Sequence, residues 1–371
     1  MAVTTYRYLF TNLATQEIIA ELPLTGVGFT QQLNQAGTFS GHILLSGLND
    51  NATGVNSSTY NVLNATIPAK TGLYVDRDGV LVWGGVIWGR TYNSQSQTLT
   101  IQAREWISYF ERRRITETLV YTNTDQLVLA KNLITWAQAQ VHGDIGVIYN
   151  TDGQTTSGIL VDRTYYYYEY KAVFNAIQDL SRQNNGFDFA IDVAYDGTTG
   201  LPTKAFNTYY PHTNGTTVPV FLFPAGNVVE YEYPEDGTLA ANYVYTLGAG
   251  SNEGKLISYA IDTTKYAQGW ALLEDVVNYS DITDSNVLSG LAQGQVNAYA
   301  YPPTTIKLTA PPYIDPIFGT YEIGDDARII IQDDRFPNGL DAIYRIVGIS
   351  IQPGEDGPER VTLTLTQGTS A

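Results

Sequence analysis

Residues 73–88 read LYVDRDGVLVWGGVIW, and this stretch carries the clearest fold signal in the chain. Two apolar runs, Leu73 to Val75 and Val80 to Trp88, flank the pair Asp78-Gly79. Because an Asp-Gly pair supplies the positive φ that a tight turn needs, the stretch predicts a β-hairpin. Gly84-Gly85 interrupts the second strand and indicates a bulge or a close approach of two backbones.

Further strand-like segments surround this hairpin in the first third of the chain. They are Thr5 to Phe10, Glu17 to Leu24, Thr38 to Leu45 and Thr98 to Ala103. Each is a short apolar or alternating stretch bounded by polar turn residues. Together they predict a meander that belongs to either a barrel or a sandwich.

The middle of the chain changes character after about residue 110. Asp125 to Gln140 and Glu169 to Asn184 carry apolar residues at helical spacing, with Asp125 as the N-cap of the first helix. Strand-like sequence follows each helix, at Ile145 to Tyr149 and at Phe187 to Tyr195. These residues predict a separate α+β unit.

Strands return in the last part, interrupted by one more helix over Asp284 to Tyr299, which Pro302-Pro303 stops. The predicted strands are Val228 to Tyr233, Ala241 to Leu247, Ala327 to Gln332, Ala342 to Ile351 and Arg360 to Thr366. Helices are therefore expected only in the interior of the chain, between β-rich ends.

Composition agrees with this pattern. With 371 residues the chain exceeds the size at which one hydrophobic core keeps growing, which favours roughly two to four domains. The 28 Tyr and 34 Gly residues beside a single Met favour strands and turns over helices. The expected fold class is α+β and β-dominated.

The net charge of -17 argues against an ordinary nucleic-acid binder, because affinity for phosphates rests on clustered Lys and Arg. An acidic surface serves solubility, and it also suits a wall along which DNA slides without sticking. The chain has no Cys, which excludes disulfides, Cys-based zinc sites and thiol nucleophiles. Met1 to Thr11 lacks an apolar signal core, and no apolar run reaches the length of a membrane-spanning helix.

Few residues form a pattern that carries chemistry. His42, His142 and His212 lie far apart and outside any metal-ligand spacing. A nucleophile elbow, a Walker loop and a Rossmann fingerprint are absent from the strand-turn-helix context that each requires. We therefore expect a protein that is not an enzyme, with no cofactor and no catalytic, cofactor-binding or metal-binding residue.

Pairs of carboxylates need separate consideration, because a glycosidase requires only two of them across a sugar-binding cleft. Asp188 and Asp192 would lie on the same side of one strand, while Asp325-Asp326 and Asp333-Asp334 bracket another. The explanation that we favour is that exposed strand faces and strand ends are simply polar.

Three smaller clusters have ordinary structural explanations. Asp281, Asp284 and Asn286 resemble a calcium loop without its Gly and terminal Glu, so a helix cap explains them better. The only dense basic cluster, Arg112-Arg113-Arg114, suits either a solvated turn or a contact with carboxylates of a neighbouring subunit. Tyr165 to Tyr168 suits a strand edge or aromatic packing better than a platform for sugars.

The order of the segments resembles a known family. The segments in the first third are Leu81 to Ile87, Leu99 to Glu105 and Tyr109 to Arg113. Those in the last third are Tyr321 to Arg328, Tyr344 to Ile349 and Val361 to Thr366. They resemble the first and the closing barrel of tail-hub, or minor tail, proteins of long-tailed siphovirus-type phages that infect actinobacteria. Asn227 to Leu247 is similar to the segment that returns to the first barrel after an inserted domain.

This resemblance implies two tube-like β-barrel domains with inserted α+β domains. Residues 1–110 and 225–257 would form the first barrel and 111–224 the inserted domain. Residues 258–305 would form a helix-containing connecting domain and 306–371 the second barrel. Because the sequence stops just past its last strand, we expect no lytic or fibre-like extension.

The resemblance also implies a function and partners. Members of the family are made in the host cytoplasm and form a homotrimeric ring at the virion tail tip, the hub of the baseplate, which nucleates tube assembly and gates genome exit. The implied partners are distal tail or tail-tube ring proteins, the tape-measure protein, other tail-tip or fibre proteins, and genomic DNA in transit without specific binding. Two alternatives stay open: another tail or baseplate component such as a distal tail protein, and a carbohydrate-binding or glycan-cleaving β protein.

Overall fold

The structure, a computed structural model, describes residues 4–45, 59–149, 153–183, 185–211, 218–280, 282–299, 305–354 and 357–367. Its strands are β1 (Tyr6–Asn12), β2 (Ile18–Glu21), β3 (Thr25–Gln32), β4 (Thr38–Leu44), β5 (Thr71–Arg77), β6 (Val80–Asn93), β7 (Thr98–Glu105), β8 (Leu119–Asp125), β9 (Val147–Tyr149), β10 (Leu160–Tyr165), β11 (Asp188–Tyr195), β12 (Pro202–Tyr209), β13 (Val220–Phe223), β14 (Glu230–Glu232), β15 (Tyr243–Leu247), β16 (Ile257–Ile261), β17 (Glu274–Asn278), β18 (Thr305–Ala310), β19 (Asp326–Ile331), β20 (Leu340–Gln352) and β21 (Arg360–Gln367). Its helices are α1 (Thr59–Ala65), α2 (Gln126–Ala139), α3 (Val173–Ser181), α4 (Thr263–Ala267) and α5 (Ser285–Tyr299).

The predicted hairpin is confirmed as β5 and β6. Asp78 and Gly79 occupy the turn with φ of 53° and 87°, the left-handed region that this kind of turn requires. The Asp76 carboxylate accepts a hydrogen bond of 2.8 Å from the N–H of Gly79 and closes the turn. β6 then pairs with β7, and β7 with β4, so the predicted meander is also confirmed.

The double glycine in β6 marks a close approach, as its position predicts. A Cβ atom on Gly84 would lie 2.5 Å from the indole nitrogen of Trp106, and one on Gly85 would lie 2.1 Å from the carbonyl oxygen of Arg104. A Cβ atom cannot lie this close to a non-bonded heavy atom. Only glycine at these two positions therefore lets β6 pack this tightly.

Both β-rich ends share a single 13-stranded sheet. Its order is β14-β18-β21-β20-β3-β4-β7-β6-β5-β1-β2, with β19 on β20 and β13 on β19. The two ends of the chain are joined at β20. This strand pairs with β19 over its first half and with β3 over Gly348 to Ile351. Among the described residues the hydrogen bonding therefore forms one open ladder and not the two separate closed barrels that we expected.

The segment 225–257 also differs from its expected place. We expected it to return to the first barrel, but β14 pairs with β18 of the last third. β15 instead pairs with β16 and β17 in a three-stranded sheet of its own. Its residues Val244 and Ala260 pack against Ala292 and Val296 of α5, which gives this sheet a small separate core.

Two larger hydrophobic cores lie on opposite faces of the β5–β6 hairpin. One contains Leu73, Val75 and Trp83 together with buried residues of the last third, such as Ile349 and Leu363. The other contains Tyr74, Leu81, Val86 and Trp106 together with α2, α3, β11 and β12 of the middle section. The hairpin is consequently apolar on both faces, which explains why its sequence does not alternate.

The middle section is an α+β unit, as the sequence predicts. Asp125 caps α2 by accepting a hydrogen bond of 2.9 Å from the N–H of Leu127. The second predicted helix is shorter than expected and begins at Val173, because Tyr170 adopts a left-handed conformation with φ of 46°. The third predicted helix is confirmed as α5. The prediction that helices are confined to the interior missed α1 in the first third.

Polar contacts also join the parts of the chain. The Arg77 guanidinium of β5 forms a bidentate pair with Glu359, at 2.8 and 2.9 Å, which connects the two ends. Lys204 of β12 is buried, and its ammonium lies 4.4 Å above the ring of Trp106 and donates to Gln16. Burial lowers the pKa of Lys204 to about 7.

Within the described residues no helix is long and apolar enough to cross a membrane.

The glycine contact predicts a sharp difference between two substitutions in β6. Gly85→Ala should lower the free energy of unfolding by about 3 kcal/mol, because its Cβ would meet the backbone of β7. Gly89→Ala should cost less than about 1 kcal/mol, since there the nearest atom, 3.1 Å away, is the end of the flexible Gln102 side chain. Urea unfolding followed by tryptophan fluorescence measures both, and equal losses would contradict this account.

Candidate binding cleft

A cleft of about 790 Å³ separates β11 of the middle section from the main sheet. One wall is the whole of β11 from Phe189 onward, and the other is the start of β6, Val80 to Gly84. The loop from Phe318 to Ile323, the end of β3 and residues of β7, β9 and β12 also line the cleft. The cleft therefore lies where the inserted unit meets both ends of the chain.

The backbone of β11 presents a free edge to this cleft. β11 pairs with β12 alone, in an unbroken antiparallel register. The N–H of Phe189 donates to the side chain of Asn34 at 2.8 Å, so it points away from β12. Because antiparallel strands alternate, the N–H and C=O groups of Ile191 and Val193 also point away from β12.

The polar lining includes five carboxyl groups beside Gln, Thr and Tyr side chains. Asp192 accepts hydrogen bonds from the Asn207 amide at 2.6 Å and from the Tyr209 hydroxyl at 3.0 Å. Glu105 accepts one from the N–H of Gly37 at 2.6 Å. The remaining acidic lining residues are Asp196, Glu322 and Asp325. The described residues that line the cleft include no Lys, Arg or His.

Burial and neighbouring negative charge shift the pKa values of two residues that line the cleft, Glu105 and Tyr209. Burial, together with the negative charge of Asp192, raises the pKa of Glu105 to about 8, although the hydrogen bond from the N–H of Gly37 acts in the opposite direction. Burial and the charge of Asp192 likewise raise the pKa of Tyr209. The cleft thus holds one carboxyl group that is largely protonated at neutral pH beside another carboxylate.

Asp188 does not join Asp192 in this cleft. Its buried carboxylate forms an ion pair with the Arg345 guanidinium of β20 and accepts a hydrogen bond of 2.8 Å from Asn34. Asp188 therefore attaches the inserted unit to the last third of the chain. Asp188 and Asp192, which were considered as a carboxylate pair from the sequence, therefore make separate contacts.

The other acidic candidates lie at strand and helix ends. Asp325 lines the cleft and accepts from the N–H of Glu322 at 2.9 Å, whereas Asp326 begins β19. Asp333 accepts from the backbone N–H groups of the turn that follows β19, next to Asp334. The contacts of Asp333 agree with the prediction that strand ends are simply polar, whereas Asp325 is buried.

The described His and Asp residues that were considered as metal ligands make other contacts. Asp284 accepts from the N–H of Asn286 at 2.7 Å and caps α5, so the helix-cap explanation holds for it. His42 contacts the Thr100 hydroxyl at 2.9 Å, and His142 lies in a turn after α2. Asp281 and His212 lie outside the described residues. The described part of the chain has no group of three or more His, Asp or Glu that could hold a metal.

The side chains of the three consecutive arginines lie in three different places. Arg112 lies over the ring of Trp88 at 6.0 Å, and Arg113 donates to the carbonyl of Ala137 at 3.1 Å. Arg114 lines a second, more open cleft of about 640 Å³ between α3 and β17. The cluster therefore does not form one basic patch.

The four consecutive tyrosines contact the core or one another, although Tyr167 and Tyr168 are more than half exposed. Tyr165 is buried in the core of the middle section. Tyr166 and Tyr168 stack on each other with their ring centres 5.2 Å apart, while Tyr167 meets Tyr168 edge-on.

Sequence reasoning missed Glu105 and Glu322 as members of the candidate site. Both were part of segments that carried the family resemblance, but no spacing connects them to Asp192. They come together only because β11 packs beside β6 and the loop before β19. A Glu at the end of an otherwise alternating strand, as in TLTIQARE (residues 98–105), was the one available signal.

The buried ion pair predicts an asymmetry between two arginines. Arg345→Ala should lower the free energy of unfolding by about 3 kcal/mol, because it removes the cation that balances the buried carboxylate of Asp188. Arg328→Ala breaks the exposed pair with Asp341 and should cost less than about 1 kcal/mol. Denaturant unfolding measures the loss of stability in both variants. A loss below about 1 kcal/mol for Arg345→Ala would show that the pair of Asp188 and Arg345 contributes little to stability.

The raised pKa of Glu105 predicts a pH dependence of stability. Between its usual pKa of 4.5 and about 8, the folded chain binds more protons at this site than the unfolded chain does, so stability falls as pH rises. Glu105→Gln should remove about 1 to 2 kcal/mol of the decline between pH 5 and 7, and the titration of Lys204 is common to both chains and cancels in the comparison. The control is Glu253→Gln at an exposed turn, which should follow the unmodified chain. Identical pH profiles for Glu105→Gln and the unmodified chain would exclude this role.

Comparison with known proteins identifies the fold. No protein-family model matches the sequence, and no curated protein matches it either. Among solved structures, a tail protein from Neisseria meningitidis is similar with a TM-score of 0.61 and 14% identity, over 99% of this chain and 97% of that one.

A 43 kDa tail protein of prophage MuSo2 from Shewanella oneidensis is similar with a TM-score of 0.61 and 14% identity, over 98% of both chains. The Escherichia coli c3393 protein, a type VI secretion component described as similar to the T4 tail proteins gp27 and gp5, matches with a TM-score of 0.50 and 11% identity. That match covers 99% of this chain and 75% of the other. The chain has the fold of phage tail proteins.

Proposed function

We propose that this chain is a structural component of a phage tail or of a related tail-like assembly. The observation that carries the proposal is the length of the structural match, which covers nearly all of this chain and of two tail proteins. Such a match includes the inserted middle unit and the small sheet as well as the main ladder. A chance likeness in one common β motif would not extend over the whole chain.

We further propose a position at the tail tip, as a hub that forms a trimeric ring. The two β-rich ends, 1–110 and 306–371, would serve as tube-like parts, and β14 would belong to the second because it pairs with β18. Residues 111–224 would project as the inserted domain and 258–305 would connect the parts. Three copies would supply six tube-like parts to match a six-fold tail tube, with distal tail, tape-measure and fibre proteins as neighbours.

The siphovirus type and the actinobacterial host remain predictions from sequence resemblance. The three similar structures come from Neisseria, Shewanella and Escherichia, none of which is an actinobacterium. A distal tail protein or a type VI secretion component is the second candidate. The c3393 match supports the latter, and the location of the protein distinguishes these roles.

A purely structural role is part of the proposal. The carboxylate pair that would suit a glycosidase is divided, since Asp188 is engaged by Arg345 while Asp192 lies in the cleft. The net charge of -17 supports passage of DNA through the assembled ring without binding, because like charges repel.

The proposal predicts a defined oligomer at a defined place. Native mass spectrometry of the purified chain, alone and with its tail-tube partner, should give a species of three times the 40.8 kDa chain mass. Antibody labelling of the parent particle in electron microscopy should mark the tail tip. A stable monomer under both conditions would contradict the trimer, and labelling along the shaft or absence from particles would contradict the hub.

A further inference from the structure

We propose that the cleft between α3 and β17, here called the α3–β17 cleft, binds a carboxylate-bearing segment of a second copy of this chain. The inference deepens the proposed function and rests on it for the number of copies in the ring. The contact itself rests on the unpaired cations of the cleft, on their spacing and on the acidity of the chain.

The α3–β17 cleft lies between two units that have separate cores. Its volume of about 640 Å³ is within the range of about 300–1,000 Å³ that is usual for binding clefts. One wall is a polar stripe of α3, and its members Asn175, Asp179 and Arg182 have the spacing of one helical face. The end of β17 and Gln295 of α5 belong to the opposite wall.

Two arginines of this cleft have no carboxylate partner. Arg114 and Arg182 are exposed, and neither side chain forms an ion pair or donates a hydrogen bond within the described residues. Other arginines of the described chain do form ion pairs with acidic residues, namely Arg7, Arg77, Arg104, Arg328, Arg335 and Arg345. In a chain with 37 acidic and 20 basic residues, two unpaired guanidinium groups in one cleft indicate a carboxylate that comes from outside.

The acidic residues of the cleft do not neutralise these arginines. Asp179 forms an ion pair of 2.6 Å with Lys171. Burial raises the pKa of Glu169, which reduces its negative charge at a given pH. The described lining therefore sets the three cations Arg114, Lys171 and Arg182 against two acidic residues, in a chain whose net charge is -17.

The two arginines lie near opposite ends of α3. Arg114 forms a backbone bridge with Ala172, immediately before α3, whereas Arg182 follows the last residue of α3. At about 1.5 Å per residue, the distance from 172 to 182 along the helix is about 15 Å. An extended polypeptide rises about 3.3 Å per residue, so carboxylates four or five residues apart cover a similar distance. A single small anion would have to draw both side chains together.

A second copy of this chain carries the complementary charge. Its acidic residues outnumber its basic ones by 37 to 20, so carboxylates remain after every cation is paired. Nucleic acid fits less well, because a net charge of -17 repels a phosphate backbone. Arginines on one surface that meet carboxylates on a different surface form a heterologous contact, and contacts of this kind close into rings. A ring of three copies requires such a contact.

Sedimentation velocity of the full chain over a range of concentrations, at about 0.1 M salt, tests the contact. The unmodified chain should self-associate, and added salt should weaken the association. Arg114→Gln and Arg182→Gln should each weaken it about threefold to tenfold, because each removes one charged contact. The matched control is Arg360→Gln, which removes an exposed arginine outside the cleft that has no ion pair within the described residues. This control should associate like the unmodified chain.

A further variant separates loss of the contact from damage to the helix. Arg182 is the C-cap of α3, where a positive charge favours the helix dipole. Arg182→Lys keeps that charge but loses the two-pronged guanidinium, so it should weaken association less than Arg182→Gln does. Circular dichroism should show the same helix content in all variants.

The outcomes distinguish this contact from the proposed function. Equal weakening by Arg360→Gln would show diffuse electrostatics and would overturn the assignment. A trimer that persists unchanged in both cleft variants would also overturn it, while the proposed function would stand. A chain that is monomeric at every concentration would contradict both the contact and the trimer. Binding of a single-stranded oligonucleotide that Arg182→Gln abolishes would assign the cleft to nucleic acid instead.

Discussion

The β5–β6 hairpin must be covered on both faces, and the rest of the structure is arranged around this requirement. Trp83 points into the core shared with the last third of the chain, while Tyr74 and Val86 point into the core of the inserted unit. If the middle section were removed, the second face would be exposed to water together with Trp106. The insertion is therefore structurally necessary to the sheet that carries it.

The contacts that fasten the inserted unit combine this apolar surface with buried polar groups. Asp188 reaches Arg345, Tyr195 donates to Asp76, and Lys204 lies between Trp106 and Gln16. Buried polar groups cost free energy unless their partners are correctly placed, so such contacts favour one orientation over its alternatives. The cleft remains open beside them because β11 uses only one of its edges for pairing.

Local signals in the sequence were sufficient to predict the hairpin, the α+β character of the middle section and its main helices. Turn residues, helix caps and helical spacing each act over only a few positions, so the sequence shows them directly. The ladder was not predictable in this way. β3 reads TGVGFTQQ, which lacks a strong apolar run, and its pairing with β20 joins residues more than 300 positions apart. The cleft was missed for the same reason, since Glu105 and Asp192 are near each other only after folding.

The seam between β3 and β20 is the place where the sheet passes from one end of the chain to the other. The seam has four register pairs, from Phe29 to Gln32, and the adjoining β3–β4 pairing has three. Tension applied between the two halves of the sheet converges on these few hydrogen bonds and on the pair Arg77 with Glu359. A load transmitted through an assembly of such subunits would pass from one end of each chain to the other through this seam and through the apolar core that both ends share.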